Sequence, residues 1–364
     1  MATKLFAEAL IGPFTLTNRV VMAPMTRSRA VQHNAPNELV ATYYEQRASA
    51  GLIITEGTSP SANGIGYARI PGIYSSEQIE GWKRVTKAVH AKGGHIFVQL
   101  MHCGRIAHEL NLPAGAEILA PSAIAAKGDM WTDQEGMKPL STPRAMNIAD
   151  VKATIKEFVQ AAKNAIEAGF DGVEIHGANG YLIDQFINPV ANQRTDEYGG
   201  SIENRSRFLL EIAAATAKAI GKDRVGVRVS PYGAFNDVSS DETTEDTHAY
   251  IARQLNDLGI LYIHIVNHSA MGAPEVPASV IEKIRKNFTN VLILSGGYDA
   301  QRAEQDVQSG AADLVAFGRP FIANPDLVER LQSGVELAQP DYNTFYTADA
   351  KGYTDYPVLK AQAI

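Results

Sequence analysis

Short, nearly unbroken apolar runs recur along the whole chain: RVVMAP (19–24), LIITEG (52–57), HIFVQLM (95–101), GVEIHG (172–177), VGVRVSP (225–231), LYIHIV (261–266), VLILSGG (291–297) and DLVAFGRP (313–320). Their length and lack of alternation mark strands buried on both faces. Between them the apolar positions shift to helical spacing, which predicts helices over 36–49, 76–91, 148–168, 201–220, 243–258, 277–287 and 299–309. After the last run, NPDLVERLQSG predicts a helix capped by Asn324 and begun at Pro325.

Eight strand and helix units can close on themselves and leave no exposed sheet edge, so the pattern predicts an α/β protein built as a single (β/α)8 barrel over residues 1–364. A doubly wound sheet is the alternative. It would begin with a glycine-rich phosphate turn after its first strand, and VVMAPMTRSRA contains none. The stretch from 102 to 147 is too long for an ordinary connection and should fold as an excursion over the barrel opening. Within it, SAIAAKGDMWTDQEGMKPLSTPRAM reads as short strands around a glycine-bearing turn. The aromatic, polar segment YNTFYTADAKGYTDYP is a poor helix and is expected to pack back as a partial lid.

Composition narrows the function. The net charge of −7 argues against a nucleic-acid partner, which selects for a basic surface. No apolar run approaches the roughly 18 residues that suggest a membrane span, and residues 1–16 hold no continuous apolar region, so a soluble, cytoplasmic protein is expected. Cys103 is the only cysteine, which excludes an intrachain disulfide and any multi-cysteine metal site. His102 beside it points to the opposite face of a strand, so the thiol reads as packing rather than as a nucleophile.

In a (β/α)8 barrel the chemistry sits at the C-terminal ends of the strands. Here those ends carry Pro24, Met25 and Thr26, Glu56 and Gly57, Gln99, His176 with Asn179 and Tyr181, Arg228, Gly296 and Gly297, and Gly318 with Arg319. The glycine turns after the last two strands, with the Arg319 fork, suit a compact anion such as a phosphate. Gln99 offers both a donor and an acceptor to the edge of an isoalloxazine ring, and Arg228 places positive charge where a flavin gathers negative charge on reduction. Together with the Thr26 hydroxyl they describe a cradle for FMN. His176 and Asn179 can both donate to one carbonyl oxygen, and Tyr181 can serve as a general acid. A core histidine, a capping asparagine and a packing tyrosine are the bland alternatives for this trio. No His-Glu-x-x-His motif or calcium loop is present, and His102, His264 and His268 are dispersed, so no metal site is expected.

These residues also resemble a known family. From NRVVMAPMTRSRA to KGYTDYP, and most specifically in NPVANQRTDEYGGSIENRSRF (188–208) directly after HGANGYLIDQF, the chain is similar to the old yellow enzymes, flavin-dependent ene-reductases, especially the N-ethylmaleimide reductase and pentaerythritol tetranitrate reductase branch. The resemblance implies FMN contacts from Pro24, Thr26, Gly57, Gln99, Arg228, Gly297, Gly318 and Arg319. It implies His176 and Asn179 as binders of the substrate carbonyl and Tyr181 as the proton donor. Tyr67 and Tyr353 would be aromatic walls. Met101 stands where that branch commonly has tryptophan, which would leave a differently shaped wall. NADPH or NADH would reduce the bound FMN, and an activated alkene would reoxidise it in the same pocket. Nitro compounds, nitrate esters or quinones are the alternative oxidants, and a flavin-binding protein without turnover is a further alternative. A monomer or weak homo-oligomer is expected.

Overall fold

The computed structural model describes residues 3–359. Eight parallel strands close into a barrel in strict sequence order: Val20–Met22, Leu52–Ile54, Ile96–Leu100, Gly172–Gly177, Val225–Val229, Tyr262–Val266, Val291–Ser295 and Leu314–Phe317. Each predicted run contains one of them. Except for Gly172–Gly177, which spans its whole run, the strands are shorter than the runs.

The helices also lie where periodicity placed them. Two of the longest owe their starts to reciprocal capping: Ser75 with Gln78 opens Ser76–Ala91, and Asn147 with Asp150 opens Ile148–Glu167. The last unit departs from expectation. Asn324 does not cap a helix starting at Pro325; it ends a short helix, Arg319–Ala323, while Asp326 precedes the next one, Leu327–Ser333. The Asn324 amide is spent elsewhere, donating to the carbonyls of Pro320 and Ala338 and accepting from Ala338 N–H. A further short helix, Leu182–Ile187, directly follows the fourth strand's loop and was hidden inside a segment read as site chemistry.

One end of the barrel is closed by an element the strand pattern missed. An N-terminal hairpin pairs Ala9–Ile11 with Phe14–Leu16 around Gly12, whose φ is +52°. It packs onto Phe97, Tyr262, Ile293 and Leu314, with Phe14 edge-on to Phe97 at 5.6 Å. The Gly12-Pro13 dipeptide was its signal, a turn marker between two short apolar runs. The opposite, C-terminal mouth of the barrel carries a cavity.

The excursion after the third strand contains an antiparallel hairpin, Asp129–Thr132 against Gly136–Pro139, with Gly136 at φ +71°. Its Met130 packs with Ile106 and Ala126 against Tyr67 and Tyr181. The C-terminal segment folds back as well, tied down by three fully buried arginines. Arg29 donates to the carbonyls of Thr344 and Phe345, Arg27 to that of Gly352, and Arg47 to that of Tyr353. Among the described residues no helix is long and apolar enough to cross a membrane.

Candidate active site

Strand register decides which side chains share the barrel interior. Glu174 lies opposite Gln99, His176 opposite Arg228, and Arg228 opposite His264. Side chains alternate along a strand, so Glu174 and His176 point the same way and stack as successive layers beneath the mouth. The lower layer is a closed polar network. Gln99 Nε2 donates to Glu174 Oε1 at 2.8 Å, and His264 Nδ1 lies 2.8 Å from Glu174 Oε2. Burial works against the Glu174 carboxylate, but His264 and Arg228 together outweigh it and hold the group below the usual carboxylate range. Burial in turn lowers His264, against the pull of Glu174. His264 was weighed from the sequence only as a metal ligand and Glu174 not at all, although period two back from His176 places Glu174 on the same face.

Above this network opens a cavity of about 520 Å³, lined by Pro24, Met25 and Thr26 from the first strand's end, Arg228, Gly296 and Gly297, and Gly318 with Arg319. The two glycines are required by the backbone: Gly296 has φ +130° and Gly297 φ +63°. A side chain on Gly296 would also strike the main chain of Asn267. Their turn therefore presents bare backbone to the cavity, beside the Arg319 guanidinium. Glu56, grouped with these positions by sequence, is turned away. It is buried beneath Arg27, accepting from the Arg27 N–H at 3.2 Å and the Tyr44 hydroxyl at 3.4 Å, and burial pushes its carboxyl up to about 7.

His176, Asn179 and Tyr181 gather at the end of the fourth strand. The imidazole is 3% exposed, its Nδ1 has no partner, and its ring lies 5.1 Å from that of Tyr181. Burial, followed by the charge on Arg228, keeps His176 neutral, well below the ordinary histidine range. Burial likewise pushes the Tyr181 hydroxyl up, so it carries its proton at neutral pH. The loop that holds them is tied to the helix that follows it: Gly180 N–H donates to Asp184 Oδ2 at 2.8 Å, and Asn179 sits in the left-handed region at φ +59°.

Of the two tyrosines expected as aromatic walls, Tyr67 lies against Tyr181, their hydroxyls 3.0 Å apart. Tyr353 is not a wall. It is fully buried behind the mouth, stacked on Tyr43 with centroids 4.0 Å apart and capped by Arg27 and Arg29. Phe345 and Tyr346, from the same aromatic segment, line the cavity instead. Tyr353 is held back because the arginine staple draws its part of the chain into the core. Met101 is 2% exposed and fills the space left by the missing side chain of Gly57, packed with Ile65, Ile70 and Cys103 behind Tyr67 and Tyr181. Cys103 is buried in that cluster, and burial pushes its thiol up to about 12, consistent with a packing role. Among the described residues no group of three or more His, Cys, Asp or Glu is placed to hold a metal ion.

The cavity fits a phosphate-bearing flavin. Arg228 presents a buried guanidinium whose Nε has no partner, and Gln99, with its amide N–H engaged by Glu174, keeps an acceptor oxygen. At one end, bare glycine backbone and the Arg319 guanidinium supply donors of the kind that suit an anion.

Comparison with known proteins agrees. A family model described as the NADH:flavin oxidoreductase / NADH oxidase family matches residues 4–338. The chain is 44% identical over 355 residues to a probable flavin mononucleotide-dependent alkene reductase of Leishmania infantum, covering 96% of each. It is 44% identical over 365 residues to a chanoclavine-I aldehyde reductase of Penicillium roqueforti, covering 97% of this chain and 96% of that one. Among solved structures it resembles morphinone reductase at 45% identity and a TM-score of 0.94, covering 99% of this chain and 97% of that one. An old yellow enzyme homologue from Zymomonas mobilis matches at 42% identity and a TM-score of 0.92, covering 98% of this chain and 100% of that one.

Proposed function

The chain belongs to the NADH:flavin oxidoreductase / NADH oxidase family, the old yellow enzymes, and from that premise we propose that His176 and Asn179 bind the activating oxygen of an alkene substrate while Tyr181 protonates it. The protein is an FMN-dependent NAD(P)H oxidoreductase of the ene-reductase type, acting on activated alkenes. When bound, FMN carries a hydride from the nicotinamide donor to the alkene β-carbon. Every other task falls to the chain.

The observation that supports the residue roles best is the convergence of a neutral His176, Asn179 and a protonated Tyr181 at one strand end beside the cavity. Neutral His176 and the Asn179 amide donate to the substrate oxygen without placing a full positive charge there. Charge that develops on that oxygen strengthens both bonds, and losing one such donor typically costs about 2.7–4 kcal/mol of transition-state stabilisation. Tyr181 delivers its hydroxyl proton to the α-carbon, and Tyr67 supports the resulting phenolate. With FMN bound, Arg228 and the acceptor oxygen of Gln99 would hydrogen-bond its ring edge, while Gly296, Gly297, Gly318 and Arg319 would hold its phosphate. Pro24, Met25 and Thr26 form the wall along its length, and Gly57 with Met101 packs behind the substrate side. Tyr346, rather than Tyr353, is the aromatic wall on the C-terminal side.

We propose that the described residues 3–359 form one FMN-binding barrel domain, with 102–147 over the opening, in a monomer or weak homo-oligomer of the cytoplasm; the ends of the expected span 1–364 lie outside the described residues. Product analysis tests the substrate reading. Incubation of FMN-loaded protein with NADPH and 2-cyclohexen-1-one without oxygen should yield cyclohexanone matching the NADPH consumed. Nitrite release from a nitrate ester or quinol formation, with no alkene saturation, would move the assignment to nitro compounds, nitrate esters or quinones.

A further inference from the structure

Asn179 is held from several directions. Its backbone N–H donates to Ser230 Oγ at 2.8 Å, and its carbonyl accepts from Asn236 Nδ2 at 2.7 Å. Its side-chain Oδ1 lies 3.0 Å from Nε2 of His268. That imidazole belongs to the loop after the sixth barrel strand, leans on Phe235 with ring centroids 4.6 Å apart, and lines the cavity. Neither the cofactor cradle nor the substrate-binding pair accounts for it.

A carboxamide is chemically two-sided: its oxygen only accepts and its nitrogen only donates, and the neighbouring partner decides which side faces a ligand. A neutral imidazole protonated at Nε2 donates to Oδ1, which leaves both Nδ2 hydrogens for the substrate. Protonated at Nδ1 instead, the ring would accept from the amide, and Asn179 would turn its oxygen toward the substrate oxygen and repel it. We propose that His268 is a positioning residue whose Nε2–H fixes the Asn179 amide with its nitrogen forward, making the site selective for ligands that present an acceptor oxygen. Burial, with Arg228 and Arg319 nearby, lowers His268 to about 4, so the ring is neutral at pH 7 and its tautomer governs the amide.

The inference rests on the reading of Asn179 as an oxygen-binding group, and the experiment separates the two. The probe is 2-cyclohexen-1-one titrated into oxidised, FMN-loaded protein, where no turnover occurs, with binding followed by the change in flavin absorbance. Both Asn179→Ala and His268→Ala should weaken binding, His268→Ala by about fivefold, the worth of one hydrogen bond of about 1 kcal/mol. His268→Gln, whose amide nitrogen can donate from a similar reach, should restore most of the loss. His268→Ala made in the Asn179→Ala background should add nothing. In turnover His268→Ala should raise KM more than it lowers kcat. Weakening by Asn179→Ala but not by His268→Ala would overturn the positioning role alone. Unchanged binding in Asn179→Ala would overturn both readings, and failure of His268→Gln to improve on His268→Ala would show that bulk rather than donation is at work.

Discussion

The hydroxyl oxygens of Tyr67 and Tyr181 lie 3.0 Å apart, with their rings edge to face at 6.1 Å. Burial raises the Tyr181 hydroxyl, and the Tyr67 hydroxyl works in the other direction by favouring the phenolate. A tyrosine that gives up its proton in a dry site needs such a donor. Tyr67→Phe should therefore slow alkene-dependent flavin reoxidation by about tenfold or more, the worth of a hydrogen bond to a charged group. Reduction by NADPH should be untouched. Rapid mixing of each half-reaction checks this, and equal slowing of both would assign Tyr67 to packing alone.

The Gln99 and Glu174 pair makes a prediction about the cofactor rather than the substrate. Glu174 is an ionised carboxylate one layer below the cavity, fully buried and 2.8 Å from the Gln99 amide. Its negative charge opposes electron density arriving near Arg228. Glu174→Gln should shift the FMN midpoint potential in the positive direction, read by reductive titration against a reference dye. A potential that is unchanged or more negative would mean that the pair acts only in folding.

Much of this was legible in the chain. Parallel strands buried on both faces write themselves as apolar runs, so the barrel and its order followed from the runs alone. The polar residues that interrupt those runs at their ends, such as Gln99, His176 and Arg228, marked the mouth. Tertiary partners were not legible. Asn324 looks like a helix cap by local grammar, yet its amide bridges Pro320 and Ala338. Tyr353 and Tyr346 sit in one aromatic segment, and only the anchoring of that segment by Arg27 and Arg29 decides which faces the cavity. His268 lay in a loop with no periodicity to orient it.

That anchoring has a measurable stability. Arg29 is fully buried and donates to main-chain carbonyls of Thr344, Phe345 and Asp349. Arg29→Ala strands several buried acceptors and should destabilise the protein by about 2–4 kcal/mol. Arg29→Lys should rescue little, because an ammonium cannot reproduce the planar fork. Denaturant unfolding measures the loss, and a change within about 0.5 kcal/mol would show that the segment is held by other contacts.

Glu56 predicts a pH dependence of known sign. Its folded-state value of about 7 lies above the 4.5 of a free glutamate, so the folded chain keeps a proton that the unfolded chain has released. Through that window the folded state binds more protons, and this group's contribution to stability falls as pH rises, by at most about 3 kcal/mol. Glu56→Gln lacks the titration. Its melting temperature relative to the wild type should therefore climb between about pH 4.5 and about pH 7 and then level off. A constant difference across the range would mean that the buried carboxyl is ionised throughout.

The central claim is that Tyr181 protonates the substrate while taking no part in cofactor reduction. Anaerobic stopped-flow on FMN-loaded Tyr181→Phe tests it most directly, first mixing with NADPH and then mixing the reduced protein with 2-cyclohexen-1-one. Flavin reduction at the wild-type rate, followed by reoxidation slowed by about 100-fold or more, is the expected result. Reoxidation at the wild-type rate with full yield of cyclohexanone would contradict it, and the proton would have to come from elsewhere.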